Sequence, residues 1–144
     1  MNQPRILLLD DDRDVLSAFA RIAGRLGYCV DSTLHLDSAL WCLGRYLHSV
    51  IISDYWLQGI NGFEALAALH QVNPQALCLL SSGDRTTAAL KLPSFIRKVI
   101  PKPWDVTELR QTLAEIQGSY RLLPAYVSDS ESAPVGKLKT ARVP

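Results

Sequence analysis

Long apolar runs are missing from this 144-residue chain. The first run, Ile6 to Leu9, is far shorter than the about 20 residues that span a bilayer or the apolar core of a secretory leader. Neither a membrane span nor a leader is therefore expected, and the reading is of a soluble, cytoplasmic protein. Cysteine is also scarce. Cys29, Cys42 and Cys78 show no C-x-x-C spacing, which excludes the sequence signature of a disulfide framework or a zinc site. They read as buried thiols of a reducing cytosol. No block of five or six like charges occurs: 15 Lys and Arg stand against 14 Asp and Glu, and the Lys and Arg are scattered, without a basic stripe interleaved with aromatics. That argues against direct nucleic-acid binding. No internal repeat is visible.

What is present is a globular balance, 48% hydrophobic and 20% charged, in a length that suits one domain with a real core. Short apolar runs at Ile6 to Leu9, Val50 to Ser53, Leu77 to Leu80 and Val99 to Ile100, with a weaker one near Tyr28 to Val30, predict five strands separated by helices. Val15, Leu16, Phe19, Ile22, Ala23 and Leu26 recur at helical spacing, and Gly27 ends that helix. A second helix is expected over Leu36 to Leu47 and a third over Gly62 to His70, stopped by Asn73-Pro74. A fourth, within Asp84 to Leu92, is expected to be short or mobile because Thr86 and Thr87 weaken it and Pro93 truncates it. A fifth opens at Asp105 with Glu108 in a capping-box arrangement and buries Leu109, Leu113 and Ile116. Gly118 closes the domain at residues 1–118. Residues 119–144 read as a flexible tail or linker, with Leu122, Leu123 and Tyr126 as a last docking patch.

Short apolar strands alternating with helices pair in parallel and are covered on both faces, so polar chemistry gathers past their carboxyl ends. Those ends carry Asp10, Asp11 and Asp12, then Asp54, then Ser81, then Lys102. Each has a bland reading: Asp12 or Asp14 caps a helix, Ser81 ends a strand, Lys102 is a solvated charge. Their joint placement at the ends of four strands is the informative feature. Clustered carboxylates must take up a proton or hold a cation, and hard oxygen ligands suit magnesium. Asp10, Asp11 and Asp54 against a divalent ion and the Lys102 ammonium make a neutral site ready for an anion.

Through Ile6-Leu-Leu-Leu-Asp10-Asp11-Asp12, Ile51-Ile-Ser-Asp54 with Asn61-Gly62 downstream, and Lys102-Pro103, residues 4–118 resemble the receiver domain of bacterial two-component response regulators. The resemblance implies a flavodoxin-like, doubly wound α/β fold: five parallel strands in the order 2-1-3-4-5 and five helices. It implies that Asp54 is the phosphoacceptor, attacking a phosphohistidine on a sensor histidine kinase or histidine phosphotransfer protein. Asp11 and Asp54, with the backbone carbonyl of Trp56, look like direct Mg2+ ligands, and Asp10 acts through bound water. Ser81 is carried over as the switch hydroxyl and Lys102 as the ammonium that pairs with the phosphoryl group. Lys102-Pro103 matches the family's cis peptide. The chain is then a phosphoacceptor that assists its own phosphorylation and dephosphorylation rather than an enzyme. Its output face, about Asp84 to Gln117, gains or loses a partner. A homodimer through the fifth helix is admitted, although the core already accounts for that helix's apolar stripe.

The pattern departs from the family at Gln58, where proline is common, and at Val99, where an aromatic ring is usual. Trp56 is bulky for the entrance to the phosphate. Trp104 replaces the Phe after Lys-Pro, which is similar to receivers attached to hydrogenase-type transcriptional regulators and some cyclic-dinucleotide phosphodiesterases. The output is either a downstream protein partner or a missing C-terminal effector. Two rivals stand beside this reading. One is a haloacid-dehalogenase-like phosphatase using Asp10-x-Asp12, disfavoured by Asp14 and by the lack of a late acidic pair. The other is a receiver-like scaffold that is never phosphorylated.

Overall fold

A computed structural model describes residues 3–120; the expectations for the tail and for its patch at Leu122, Leu123 and Tyr126 lie outside the described residues. The strands are β1 (Arg5–Leu9), β2 (Cys29–Thr33), β3 (Val50–Asp54), β4 (Leu77–Ser82) and β5 (Ile96–Pro101). The helices are α1 (Arg13–Arg25), α2 (Leu36–Arg45), α3 (Gly62–Val72) and α4 (Val106–Tyr120), with a 3-10 turn at Arg85–Ala89. All strand pairs are parallel, in the order β2-β1-β3-β4-β5 that was expected.

Strand alternation divides the core in two. Ile6, Leu8, Val50, Ile52 and Leu79 face α1 and α4, meeting Phe19, Ala23, Leu109, Leu113 and Ile116. Leu7, Leu9, Ile51, Cys78 and Leu80 face α2 and α3, meeting Ala39, Leu43, Leu66 and Leu69. Every residue of β1 and β3 is buried, as strands covered on both faces require.

The differences from the sequence reading have local causes. β2 continues through Asp31 and Ser32, and β5 begins at Ile96 and carries Arg97 and Lys98. Both are edge strands, whose polar residues hide them from an apolar-run search. The fourth helix is short, as expected, and takes the form of a five-residue 3-10 turn, capped by Asp84 Oδ1 accepting from the Thr86 amide at 2.9 Å. Asp105 caps α4 by accepting from the amides of Thr107 and Glu108. α4 runs past Gly118 to Tyr120. α3 opens with a capping box between Asn61 and Glu64 that the sequence reading passed over. Cys29 is only half-buried, against expectation, whereas Cys42 and Cys78 are buried and burial pushes their thiols up to about 12. No helix among the described residues is long and apolar enough to cross a membrane.

Candidate functional site

The chain leaves β1 toward β2 on one side and enters β3 on the other, so the order β2-β1-β3 opens a crevice beyond the carboxyl ends of β1 and β3. Asp10 and Asp11 follow β1 and Asp54 ends β3. One carboxylate oxygen from each of these three acids lies within 4.8 Å of the others. Asp10 and Asp54 are buried and Asp11 is exposed. Lys102, one residue past β5, places Nζ 2.8 Å from Asp10 Oδ2 and 3.1 Å from Asp54 Oδ1. The Lys102–Pro103 peptide is cis, as the resemblance implied. Asp12 is elsewhere engaged: its Oδ1 caps α1, accepting from the Asp14 amide at 2.9 Å. That takes away the second acid of the phosphatase reading.

Burial raises the Asp54 carboxyl and the charge of Asp10 adds to the rise, while the charge and hydrogen bond of Lys102 offset only part of it. Burial works against the Lys102 ammonium, but the hydrogen bond and charge of Asp10, and then Asp54, outweigh it and raise its value. Three acids facing one ammonium leave an excess of negative charge on hard oxygens. This donor set fits a divalent cation such as Mg2+.

Two hydroxyls end β4, and they go different ways. Ser81 pairs in register with Asp54, is fully buried, and accepts a hydrogen bond from Trp104 Nε1 at 3.1 Å. Ser82 Oγ accepts from the Asp84 amide at 3.0 Å, at the mouth of the loop leading to the 3-10 turn. Alternation along β4 could have found this, because Leu79 and Ser81 share one face while Leu80 and Ser82 share the other. Trp56 is 59% exposed, its ring at the edge of Tyr55, and it bridges backbone-to-backbone with Asn61 across the turn after Asp54.

That turn is closed by Gly62, whose amide donates to Tyr55 O at 2.7 Å. A Cβ on Gly62 would sit 2.6 Å from Asp54 O, 2.6 Å from Leu80 Cδ1 and 2.9 Å from Tyr55 Cα. Two of these are backbone atoms, so relief must move the strand end that carries Asp54. Gly62→Ala is expected to cost about 2 kcal/mol, the usual size of an overpacked core, read as a lower urea midpoint with an unchanged slope. Wild-type stability in this variant would contradict the close approach.

The model of the response regulator receiver domain matches residues 6–114. The chain belongs to that family. Among curated proteins it is similar to the phosphoglycerate transport system transcriptional regulatory protein PgtA of Salmonella typhimurium, 32% identical over 100 residues, covering 69% of this chain and 23% of that protein. It is 28% identical over 111 residues to the DNA-binding transcriptional regulator NtrC of Azospirillum brasilense, covering 76% of this chain and 23% of that one. The chain thus spans about a quarter of the length of these relatives. Among solved structures, the signal receiver domain of an HD domain-containing protein from Pseudomonas fluorescens superposes with a TM-score of 0.73 at 26% identity, over 83% of this chain and 98% of that one. A CheY-like receiver domain from Methanospirillum hungatei gives 0.75 at 21% identity over the same shares, a likeness of fold. Receiver domains are phosphoacceptor signalling domains rather than enzymes of the ordinary kind, and the family supports a two-component switch over both rival readings.

Proposed function

We propose that Asp54 accepts a phosphoryl group from the phosphohistidine of a sensor kinase or phosphotransfer protein, and that the acyl phosphate is the signal. The observation that carries this reading is the Lys102 ammonium set between Asp10 and Asp54, with Asp11 completing the acidic cluster. An Asp54 oxygen attacks phosphorus, the P–N bond to the imidazole breaks, and the histidine leaves with its nitrogen reprotonated. Lys102, already within reach of Asp54, pairs with the incoming phosphoryl oxygens. Mg2+, held by Asp11, Asp54 and the Trp56 carbonyl with Asp10 acting through water, supplies charge neutralisation on those oxygens when bound.

We propose Ser82, rather than Ser81, as the switch hydroxyl. Ser81 is committed to Trp104 in the core, whereas Ser82 opens the loop that must respond to about two added negative charges. Turning Ser82 toward the phosphoryl group breaks its bond to the Asp84 amide and so loosens the 3-10 turn that Asp84 caps. The output surface is then the 3-10 turn, β5 and α4. A downstream protein or an effector outside these residues reads it. The free thiols among the described residues suit a cytoplasmic protein.

Intact mass after incubation with phosphoramidate tests the reading. One phosphoryl group is expected on the wild type only with Mg2+, and none on Asp54→Asn. An unmodified wild type that also fails to bind Mg2+ would restore the silent-scaffold reading. Ser82→Ala is expected to disconnect phosphorylation from changes in the 3-10 turn, measured as amide shifts at Arg85–Ala89. The same disconnection in Ser81→Ala alone would return the role to Ser81.

A further inference from the structure

Lys102 lies in the short connection between β5 and α4, and a long flexible side chain there needs its backbone fixed to hold two acids at once. The connection is fastened at two points. The Lys102 amide donates to Ser82 O at 2.9 Å. Two residues on, Trp104 donates from Nε1 to the buried Ser81 hydroxyl and sets its ring at the edge of Phe19, with centroids 4.9 Å apart at 68°. Phe19 belongs to α1, whose first turn is capped by Asp12 next to the acidic pair Asp10 and Asp11. One indole therefore ties the lysine's loop to the end of β4 and to the helix that follows Asp10 and Asp11.

We propose that Trp104 is a positioning residue: its hydrogen bond to Ser81, together with its contact on Phe19, fixes where the Lys102 ammonium stands between Asp10 and Asp54. The ring alone would fill the space beside Phe19, so a phenylalanine would pack there. The indole N–H adds a directional tie that phenylalanine lacks. Ser81, fully buried and paired in register with Ile100, supplies the matching acceptor, and the bond satisfies a hydroxyl that has left water. Trp104 touches neither phosphoryl group nor metal and acts only through Lys102.

The inference rests on the phosphoacceptor reading, so its test has one arm that does not. In metal-free protein labelled with 15N-lysine, the Lys102 ammonium, hydrogen-bonded to Asp10 and Asp54, is expected to give a protected signal. Trp104→Phe, which keeps a ring on Phe19, and Ser81→Ala, which keeps the indole, should each weaken that protection. In the second arm, each variant is expected to lose about ten-fold in the saturated phosphorylation rate, with the half-saturating phosphoramidate concentration unchanged. The double variant should lose no more than either single one, because both remove the same bond. Losses that add, or a Lys102 signal and rate equal to wild type in both variants, would overturn the proposal. Should Trp104→Phe fail to fold, Ser81→Ala decides alone. A wild type that takes up no phosphoryl group refutes the phosphoacceptor reading, and the ammonium signal still decides the role of Trp104.

Discussion

Asp54→Asn is expected to abolish phosphoryl uptake and, in the same protein, to raise the stability of the metal-free fold. The two effects have one origin. Asp54 is buried beside Asp10, and burial and that neighbour raise its carboxyl above the ordinary range. An acid whose folded value lies above its unfolded value binds protons more tightly when folded. Stability therefore falls as pH rises from the unfolded value through the folded one, and at neutral pH the ionised Asp54 stands as a net cost. The amide removes that charge while its oxygen still accepts from Lys102, whose Nζ lies 3.1 Å from Asp54 Oδ1. A gain of about 1 kcal/mol is expected, typical of a substitution that resolves a functional conflict. Mg2+ should reverse the order by binding and stabilising the wild type more than the variant. Thermal melts of both proteins with and without Mg2+ check this. A variant less stable than wild type without metal would show that Lys102 already offsets the cluster's repulsion.

The same balance explains why the acidic site was legible in the sequence. Three carboxylates that cost stability are conspicuous at the ends of apolar strands, and β1 and β3 stand out because every residue in them is buried. The edges were less legible. β2 and β5 carry Asp31, Ser32, Arg97 and Lys98 inside the strand, since an edge strand does not need a continuous apolar run. The choice between Ser81 and Ser82 was beyond motif matching, because both hydroxyls end the same strand and only the side-chain direction separates them. Trp104 was visible as a departure from the family pattern, but its partner Ser81 is 23 residues away and comes into reach only through the β4–β5 pairing. Gly62 was read as part of a short motif. The contact that demands it, with the backbone of Asp54 and Tyr55, needed the turn to be closed.

The second large effect lies at the opposite end of the sheet, where no motif drew notice. Arg5 at the start of β1 and His48 just before β3 converge on the half-buried carboxylate of Asp31 in β2. Arg5 Nε and His48 Nε2 each lie 2.7 Å from Asp31 Oδ2, and the guanidinium also sits 4.0 Å over the Tyr46 ring. Burial alone would raise the Asp31 carboxyl, but the hydrogen bonds and charges of His48 and Arg5 outweigh it and hold it below the ordinary range. An acid with a lowered folded value adds stability that is fully present above its unfolded value and is lost as pH falls through the folded one. Asp31→Ala leaves a guanidinium and an imidazole buried without their acceptor, and His48 Nδ1 already has no partner. A loss of about 3 kcal/mol is expected at pH 7, the scale of breaking a buried pair from one side. Urea unfolding at pH 7 and again near pH 3 checks it: the gap between wild type and variant should narrow below the unfolded value, where the unfolded carboxylate takes up its proton before the folded one does. A gap that is small at pH 7, or that widens in acid, would mean that solvation of the freed Arg5 replaces what Asp31 supplies, and that the cluster orients β1 and β2 without stabilising them.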